Sequence, residues 1–406
     1  MTGAGIAGGG LLAPLGAPAF RKLWFAGFGG SLGRWTDVLV LSWVALLLTD
    51  SVWLVAVAGF LRHLPMLVLS ASIGSAADRF GRAAMARTGM ALNSAACACL
   101  ALAFWLNVLS YPLLLVGALV LGVGLAIDMT VRRALLADLS TREQLLSAVS
   151  LEMLTMNVTR VVGPIMAGGL LAVVGGGAGY AVSAALYGAA AFFLWGIPSD
   201  RRGAGDTGQG IPAGTALRRL LGEEAVTAVL VITVFMNILV FPYQQILSVF
   251  ALDVLGVDAF GFGLLSAADA LGSSIGILLL ARFPRTPQGW VFLGSSLGMP
   301  AVLIIFTQTT TFPLALAALM AFGLTHAGFS TMQSAIVLHA APSEVRGRAG
   351  GWLSMAIGTG PLGMLAVGSL AAATGAAAAV AVGAAAALLL VGGSGVRYRA
   401  FRRYRW

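Results

Sequence analysis

In a chain of 406 residues that is 59% hydrophobic and only 10% charged, a few ionisable side chains fall inside long apolar runs. Arg34 and Asp37 lie three residues apart in one run; Arg62 and His63, Asp128, Glu152 and Arg160, Asp269 and His326 fall in others. A charge at membrane depth is costly, so each of these marks a candidate site. A carboxylate held away from water, and relieved when its surroundings change, can carry a proton. By depth, the proton-carrying candidates are Asp37, Asp128 and Asp269, with Arg34 able to pair with Asp37 on one helix face. Each has a plainer reading beside the functional one. Asp37 also fits a structural counter-ion of Arg34 or Arg62, and Asp128 and Glu152 fit the wet mouth of a cavity. Asp269 has no charged neighbour within its own run, and His326 also fits a core histidine with satisfied hydrogen bonds.

The elements that hold these groups are apolar runs of about twenty residues or more, long enough to cross a bilayer. Twelve stand out: 23–48, 52–77, 83–106, 110–131, 144–173 and 177–197, then 224–249, 258–281, 288–308, 312–338, 347–373 and 376–395. Lipid offers no partner to a bare backbone, so runs of this length are helices. A polar stretch over 199–223, rich in Gly, Arg and Asp, separates two sets of six. The division expected is a tail over 1–22, a six-helix bundle over 23–198, a linker over 199–223, a second bundle over 224–395 and a basic tail over 396–406. The turns alternate. Those near Asp50, Asn107–Ser110, Gly175–Gly177, Asp253–Asp258, Thr309–Thr311 and Gly375 contain no Lys or Arg, whereas Arg79, Arg82, Arg132, Arg133, Arg218, Arg219, Arg282 and Arg346 cluster in the others. By the positive-inside rule, both termini are cytoplasmic and the expected location is a prokaryotic plasma membrane. Ser140-Thr-Arg-Glu143 has the spacing of a capping box opening the fifth run.

Several classes drop out. A soluble domain of this size would need far more surface charge. The net charge of +9 sits in short turns, which leaves no nucleic-acid footprint. Cys97 and Cys99 are two apart in one helix and face away from each other, so they form neither a disulfide nor a metal pair. No nucleophile–base set, metal-ligand spacing or phosphate loop appears. The expectation is a non-enzyme without a cofactor or metal, with the bilayer and a small molecule as its partners, monomeric, and with a proton gradient as the energy source.

Between the second and third runs stands Gly74-Ser-Ala-Ala-Asp78-Arg79-Phe80-Gly81-Arg82, a tight polar turn with glycines that permit close packing. The pattern resembles the signature loop of major facilitator superfamily transporters, except that Ala83 replaces the second closing basic residue. A weaker copy, Ala281-Arg-Phe-Pro-Arg285, occupies the equivalent place in the second half but lacks the acid; Gly163-Pro164 likewise matches Gly360-Pro361. Phe20-Arg-Lys-Leu-Trp24 with Gly30-Ser-Leu-Gly33, Arg132-Arg-Ala-Leu-Leu-Ala-Asp138, and Pro342-Ser-Glu-Val-Arg346-Gly-Arg348 are similar to the twelve-span drug/proton antiporter branch that includes macrolide and siderophore exporters.

The resemblance implies an all-α membrane protein with the major facilitator fold, twelve transmembrane helices in two pseudo-symmetric six-helix halves. It implies alternating access and proton-coupled efflux of small amphipathic molecules; a metabolite importer or uniporter, or a non-transporting receptor or scaffold, are the alternatives. It implies a conformational latch in which Asp78 meets the helix start near Arg346, with Gly74, Arg79, Gly81, Arg82 and Asp138 around it. It also implies that Trp35, Asn237, Tyr243, Gln244, Gln245, His326 and Gln333 face a central cavity, joined by Met153, Met156 and Asn157.

Overall fold

The computed structural model describes residues 12–141, 144–197, 213–282, 287–342, 345–398 and 401, and every regular element within them is helical. The first six long helices are α1 (Pro18–Thr49), α2 (Val52–Phe80), α3 (Arg82–Trp105), α4 (Tyr111–Asp138), α5 (Leu145–Val173) and α6 (Gly176–Phe193). A short helix, α7 (Ala213–Gly222), turns Leu220 inward while Arg218 and Arg219 stay exposed. The second set comprises α8 (Glu224–Leu239), α9 (Tyr243–Val249), α10 (Ala259–Arg282), α11 (Gln288–Thr307), α12 (Phe312–Ala340), α13 (Arg346–Ile357), α14 (Gly360–Thr374) and α15 (Ala376–Arg397).

Among the described residues, 11 helical stretches are long and apolar enough to cross a membrane. The sixth span of the first half is α6, diluted by Gly and Tyr but packed firmly on α1 and α3. Two spans that the sequence presents as continuous runs, 224–249 and 347–373, are broken. The first stops at Leu239 and resumes at Tyr243, because Pro242 has no N–H to continue the ladder; it then closes in a π-helical turn, Phe250–Val254. The second breaks between Ile357 and Gly360, where Pro361 opens the new helix.

Turns follow local chemistry. Gly81 sits at φ 92, a left-handed conformation that permits the direct step from α2 into α3. Ser51 caps α2 by accepting the Leu54 N–H at 3.4 Å. The capping box expected at 140–143 does not form around Ser140. Its hydroxyl donates back to Leu136 O at 2.7 Å, and Thr141 takes the Gln144 N–H instead; Glu143 lies outside the described residues.

Helices α1–α6 pack together, as do α8–α15. The halves meet where α5 crosses α10, where α2 crosses α14, and where α9 reaches α1 and α2. In lipid this association rests on close packing and interhelical hydrogen bonds rather than on expelling water. Among the described residues, the hydrogen bonds that join the halves lie at mid-depth or toward the end whose turns lack Lys and Arg, hereafter the bare face. Ser42 Oγ and Ser248 Oγ are 2.9 Å apart, and Ser42 also donates to Gln245 O at 3.3 Å. Trp43 stacks on Phe262 nearby at 5.7 Å. The bare face is therefore the closed one.

A cysteine pair reads this closure. On a background lacking Cys97 and Cys99, Ser42→Cys with Ser248→Cys is expected to cross-link in the resting protein under mild oxidation, since the two side-chain oxygens already lie within bridging reach. A pair that stays unlinked while the protein is folded means that this face is open at rest.

Candidate functional site

The buried charges resolve into three groups, each tying different helices. In the first half, Asp37 (0% exposed) receives Arg62 Nη2 at 2.7 Å and Nε at 3.1 Å, and Arg62 is itself 1% exposed. Tyr187 donates to the other carboxylate oxygen of Asp37 at 2.5 Å. This set joins α1, α2 and α6 and does not line the cavity between the halves described below. The pairing of Asp37 with Arg34 along one helix face is thus corrected: Arg62 takes the carboxylate, and Arg34 turns elsewhere. Arg62 Nη1 is buried without a partner, so Asp37 is the only counter-charge in hydrogen-bond contact with that guanidinium among the described residues.

The second group lies nearer the end bearing the basic turns, the basic face. Arg132 holds Asp128 one turn back at 2.6 Å and reaches Glu152 of α5 at 3.7 Å. Arg34 approaches Asp128 at 3.9 Å and donates to Ser31 at 3.1 Å. Two acids and two guanidiniums thereby bind α1, α4 and α5 into one unit. Sequence reasoning named Arg34 and Asp128 but not Arg132, which looked like a turn residue because it follows the apolar run.

The third group spans the two halves. Arg160 of α5 donates to Asp269 of α10 at 2.5 Å, and His326 of α12 stands 3.2 Å from the other carboxylate oxygen. Gln244 donates to Asp269 at 3.3 Å and Tyr243 at 3.5 Å, so the carboxylate is ringed by donors from three other helices. Two glycines position the pair. Gly163, one turn beyond Arg160, lies so near Trp35 that a Cβ would sit 2.5 Å from the indole-bearing carbon; Arg160 is thereby set 5.9 Å from the Trp35 ring. Gly323, one turn before His326, presses α12 against the Asp269 carbonyl, where any side chain would collide. Arg160 and Asp269 line a cavity of about 70 Å³ together with Trp35, Ser42, Tyr243, Gln244, Gln245 and Ser266. That is well below the roughly 300–1,000 Å³ of drug-sized sites.

The remaining candidates divide. Trp35, Tyr243, Gln244 and Gln245 stand on the cavity wall, with His326 one bond behind it. Asn237 and Gln333 do not line it: Asn237 donates to Thr233 O at 2.9 Å, and Gln333 ties α12 to α8 through Thr233 Oγ1 at 2.7 Å. Met153, Met156 and Asn157 lie along α5 toward the basic face, outside this cavity. Of the latch set, Arg82 clasps Asp138 at 2.8 Å, joining α3 to α4, while Gly74 and Arg79 lie in the last turns of α2. The side chains of Asp78 and Arg346 fall outside the described residues.

Twelve membrane helices in two halves, with a charged network crossing between them at mid-depth, define a membrane transporter of the major facilitator fold. The chain matches the family of transmembrane secretion effectors over residues 9–402 and belongs to it. It is 26% identical to the multidrug efflux pump Tap of Mycobacterium tuberculosis (strain ATCC 25618 / H37Rv) over 382 residues, 88% of each chain. It is 28% identical to the staphyloferrin A transporter of Staphylococcus aureus (strain NCTC 8325 / PS 47) over 143 residues, 35% of this chain and 36% of that one. A bacterial homologue of the human lysosomal transporter Spinster, inward-facing and unoccupied, superposes with a TM-score of 0.73 at 17% identity, covering 96% of this chain and 98% of that one. A transporter of the POT family in complex with a thioalcohol-conjugated peptide gives 0.75 at 10% identity, covering 94% and 96%. These are transporters, not enzymes.

The Asp37–Arg62 pair has a clear signature. Asp37→Asn strands a buried guanidinium and is expected to cost about 3–5 kcal/mol of stability, read by denaturant unfolding in micelles. Asp37→Asn combined with Arg62→Met removes both charges and is expected to recover most of the loss. A single variant as stable as the parent would show that the pair does not hold the half together.

Proposed function

We propose that the chain is a proton-coupled exporter of small amphipathic molecules that works by alternating access. It is a monomer of the prokaryotic plasma membrane with both termini in the cytoplasm, and the bare face is its outer face. The observation that carries this reading is the Arg160–Asp269 ion pair, which bridges the halves at the cavity wall. A proton on Asp269 cancels the attraction that holds α5 to α10 there. A substrate whose polar head reaches the same carboxylate displaces Arg160 as a proton does. One carboxylate cannot serve both at once, and mutual exclusion of this kind is what exchange requires. The broad likeness to an efflux pump supports the outward direction, and the basic turns support the orientation. Trp35 and Phe262 offer flat apolar surface for the body of the substrate beside the charged pair. When the cytoplasmic side closes, Asp78 is the acid that serves the latch with the start of α13, next to helix ends held by the Arg82–Asp138 clasp.

Inside-out vesicles with an imposed pH gradient, offered dyes and antibiotics from outside, test the reading. Gradient-driven uptake is expected in the parent and is lost on collapse of the gradient. Asp269→Asn is expected to abolish gradient-driven accumulation. Uptake indifferent to the gradient removes proton coupling, and full coupling in Asp269→Asn removes the assignment of this residue. Asp78→Asn is expected to slow turnover with substrate binding retained; parental turnover counts against the latch.

A further inference from the structure

At the basic end of the first half, three helix ends, those of α1, α3 and α6, converge on the outer surface with cations and aromatic rings and, among the described residues, contribute no acid of their own. The sequences of α3 and α6 contain no Asp or Glu, and the one acid of α1, Asp37, is consumed by Arg62. Arg87 of α3 lies with its guanidinium 5.0 Å from the ring of Trp195, just past the end of α6. Trp195 is 70% exposed and Phe192 73%, and Phe193 stacks on Phe25 of α1 at 5.4 Å. Gly196 follows at φ 79, and a Cβ there would lie 3.5 Å from Lys22 Nζ, so the Lys22 ammonium sits directly beside this turn. Among the described residues, neither Lys22 nor Arg87 makes a hydrogen bond or an ion pair.

A guanidinium has five N–H donors in a planar fork that suits a phosphate. Here it is only partly exposed, held close to an indole, and among the described residues is offered no acceptor. The ammonium of Lys22 stands beside Gly196, the residue that follows this indole. Below them the exposed rings of Trp195 and Phe192 present the amphipathic surface that settles at the boundary between head groups and acyl chains. Donors without acceptors, two unbalanced cations and an exposed apolar surface meet at this turn. The geometry points to a binding site for one anionic phospholipid on the outer wall of the first half: its phosphate rests between Arg87 and Lys22, and its acyl chains run down over Trp195 and Phe192. The site is remote from the central cavity and stands whether or not the transport reading holds.

Native mass spectrometry of the full chain, in detergent micelles carrying phosphatidylcholine and titrated with phosphatidylglycerol, reads this site. Lys22→Gln and Arg87→Gln are each expected to weaken the tightest phosphatidylglycerol adduct by about five-fold, the usual loss for one cation near an anionic lipid surface. Trp195→Ala is expected to weaken it with both cations intact, and Arg133→Gln, on the same face but away from this seam, to leave it unchanged. Soluble glycerophosphate is not expected to compete. Equal affinity in the parent, Lys22→Gln and Arg87→Gln overturns the site, as does a loss in Arg133→Gln as large as theirs. Full competition by glycerophosphate overturns the lipid and leaves a free-anion site. Thermal unfolding in phosphatidylcholine micelles shows whether each variant is folded; should Arg87→Gln not fold, Lys22→Gln and Trp195→Ala decide the matter by themselves.

Discussion

A charge in the bilayer interior must find a counter-charge and donors of its own, because neither lipid nor water will supply them. This constraint orders the whole molecule. It is met in three ways at three places. Asp37 and Arg62 satisfy it inside a single half, buried and off the wall of the cavity between the halves, and so act as a rivet between α1, α2 and α6. Asp128, Arg132, Glu152 and Arg34 satisfy it as a four-membered group that fixes α1, α4 and α5. Arg160 and Asp269 satisfy it only because the two halves lie together at mid-depth. The chemistry is the same in all three. What differs is which bodies the pair connects, and that difference separates a structural charge from one able to report on conformation.

Much of the architecture was legible in the amino-acid order. Run length gave the spans, because a helix must outlast the hydrocarbon thickness, and the turn over 74–82 pointed to the superfamily. The pairing of charges was legible only in part: Arg62 stood beside Arg34 as a counter-ion for Asp37, and nothing in the sequence chose between them. Helical periodicity shows only partners three or four residues apart, so it offered Arg34 for Asp37 and nothing at all for Asp269. The actual partners, Arg62 and Arg160, lie 25 and 109 residues away. Gln333 and Asn237 misled for a related reason. A polar side chain in an apolar run signals a need for hydrogen bonds, and here both needs are met within α8 and α12 through Thr233. Arg160 itself had a signal: a lone guanidinium at the same depth as a lone carboxylate in the opposite half.

The broken spans show the sequence acting through an omission. Pro242 withholds one N–H and so frees α9 from α8 as a separate seven-residue piece. Its first two residues, Tyr243 and Gln244, donate to Asp269, while Ser248 near its far end meets Ser42 across the bare face. A continuous helix would carry the whole of α8 along with any shift at Asp269. A short one, hydrogen-bonded at both ends to groups that matter, can tilt by itself.

That arrangement bears on how little energy a switch here requires. Neutralising Asp269 weakens its hold on Arg160 and at the same time loosens the two donors at the start of α9. Those donors sit on the same rigid segment as the serine contact that helps close the bare face, less than two turns away. In the proposed cycle the proton therefore does not need to pull a gate through a long chain of residues. It removes one anchor of a segment whose other anchor is the gate. A shift of a few kcal/mol between two packings is enough to exchange the populations of two states, and a buried ion pair commands energies of that order. The glycine-cushioned contacts at Gly163 and Gly323 keep Arg160 and His326 from wandering, so that the loss of one charge is felt at the segment and not absorbed by slack around it.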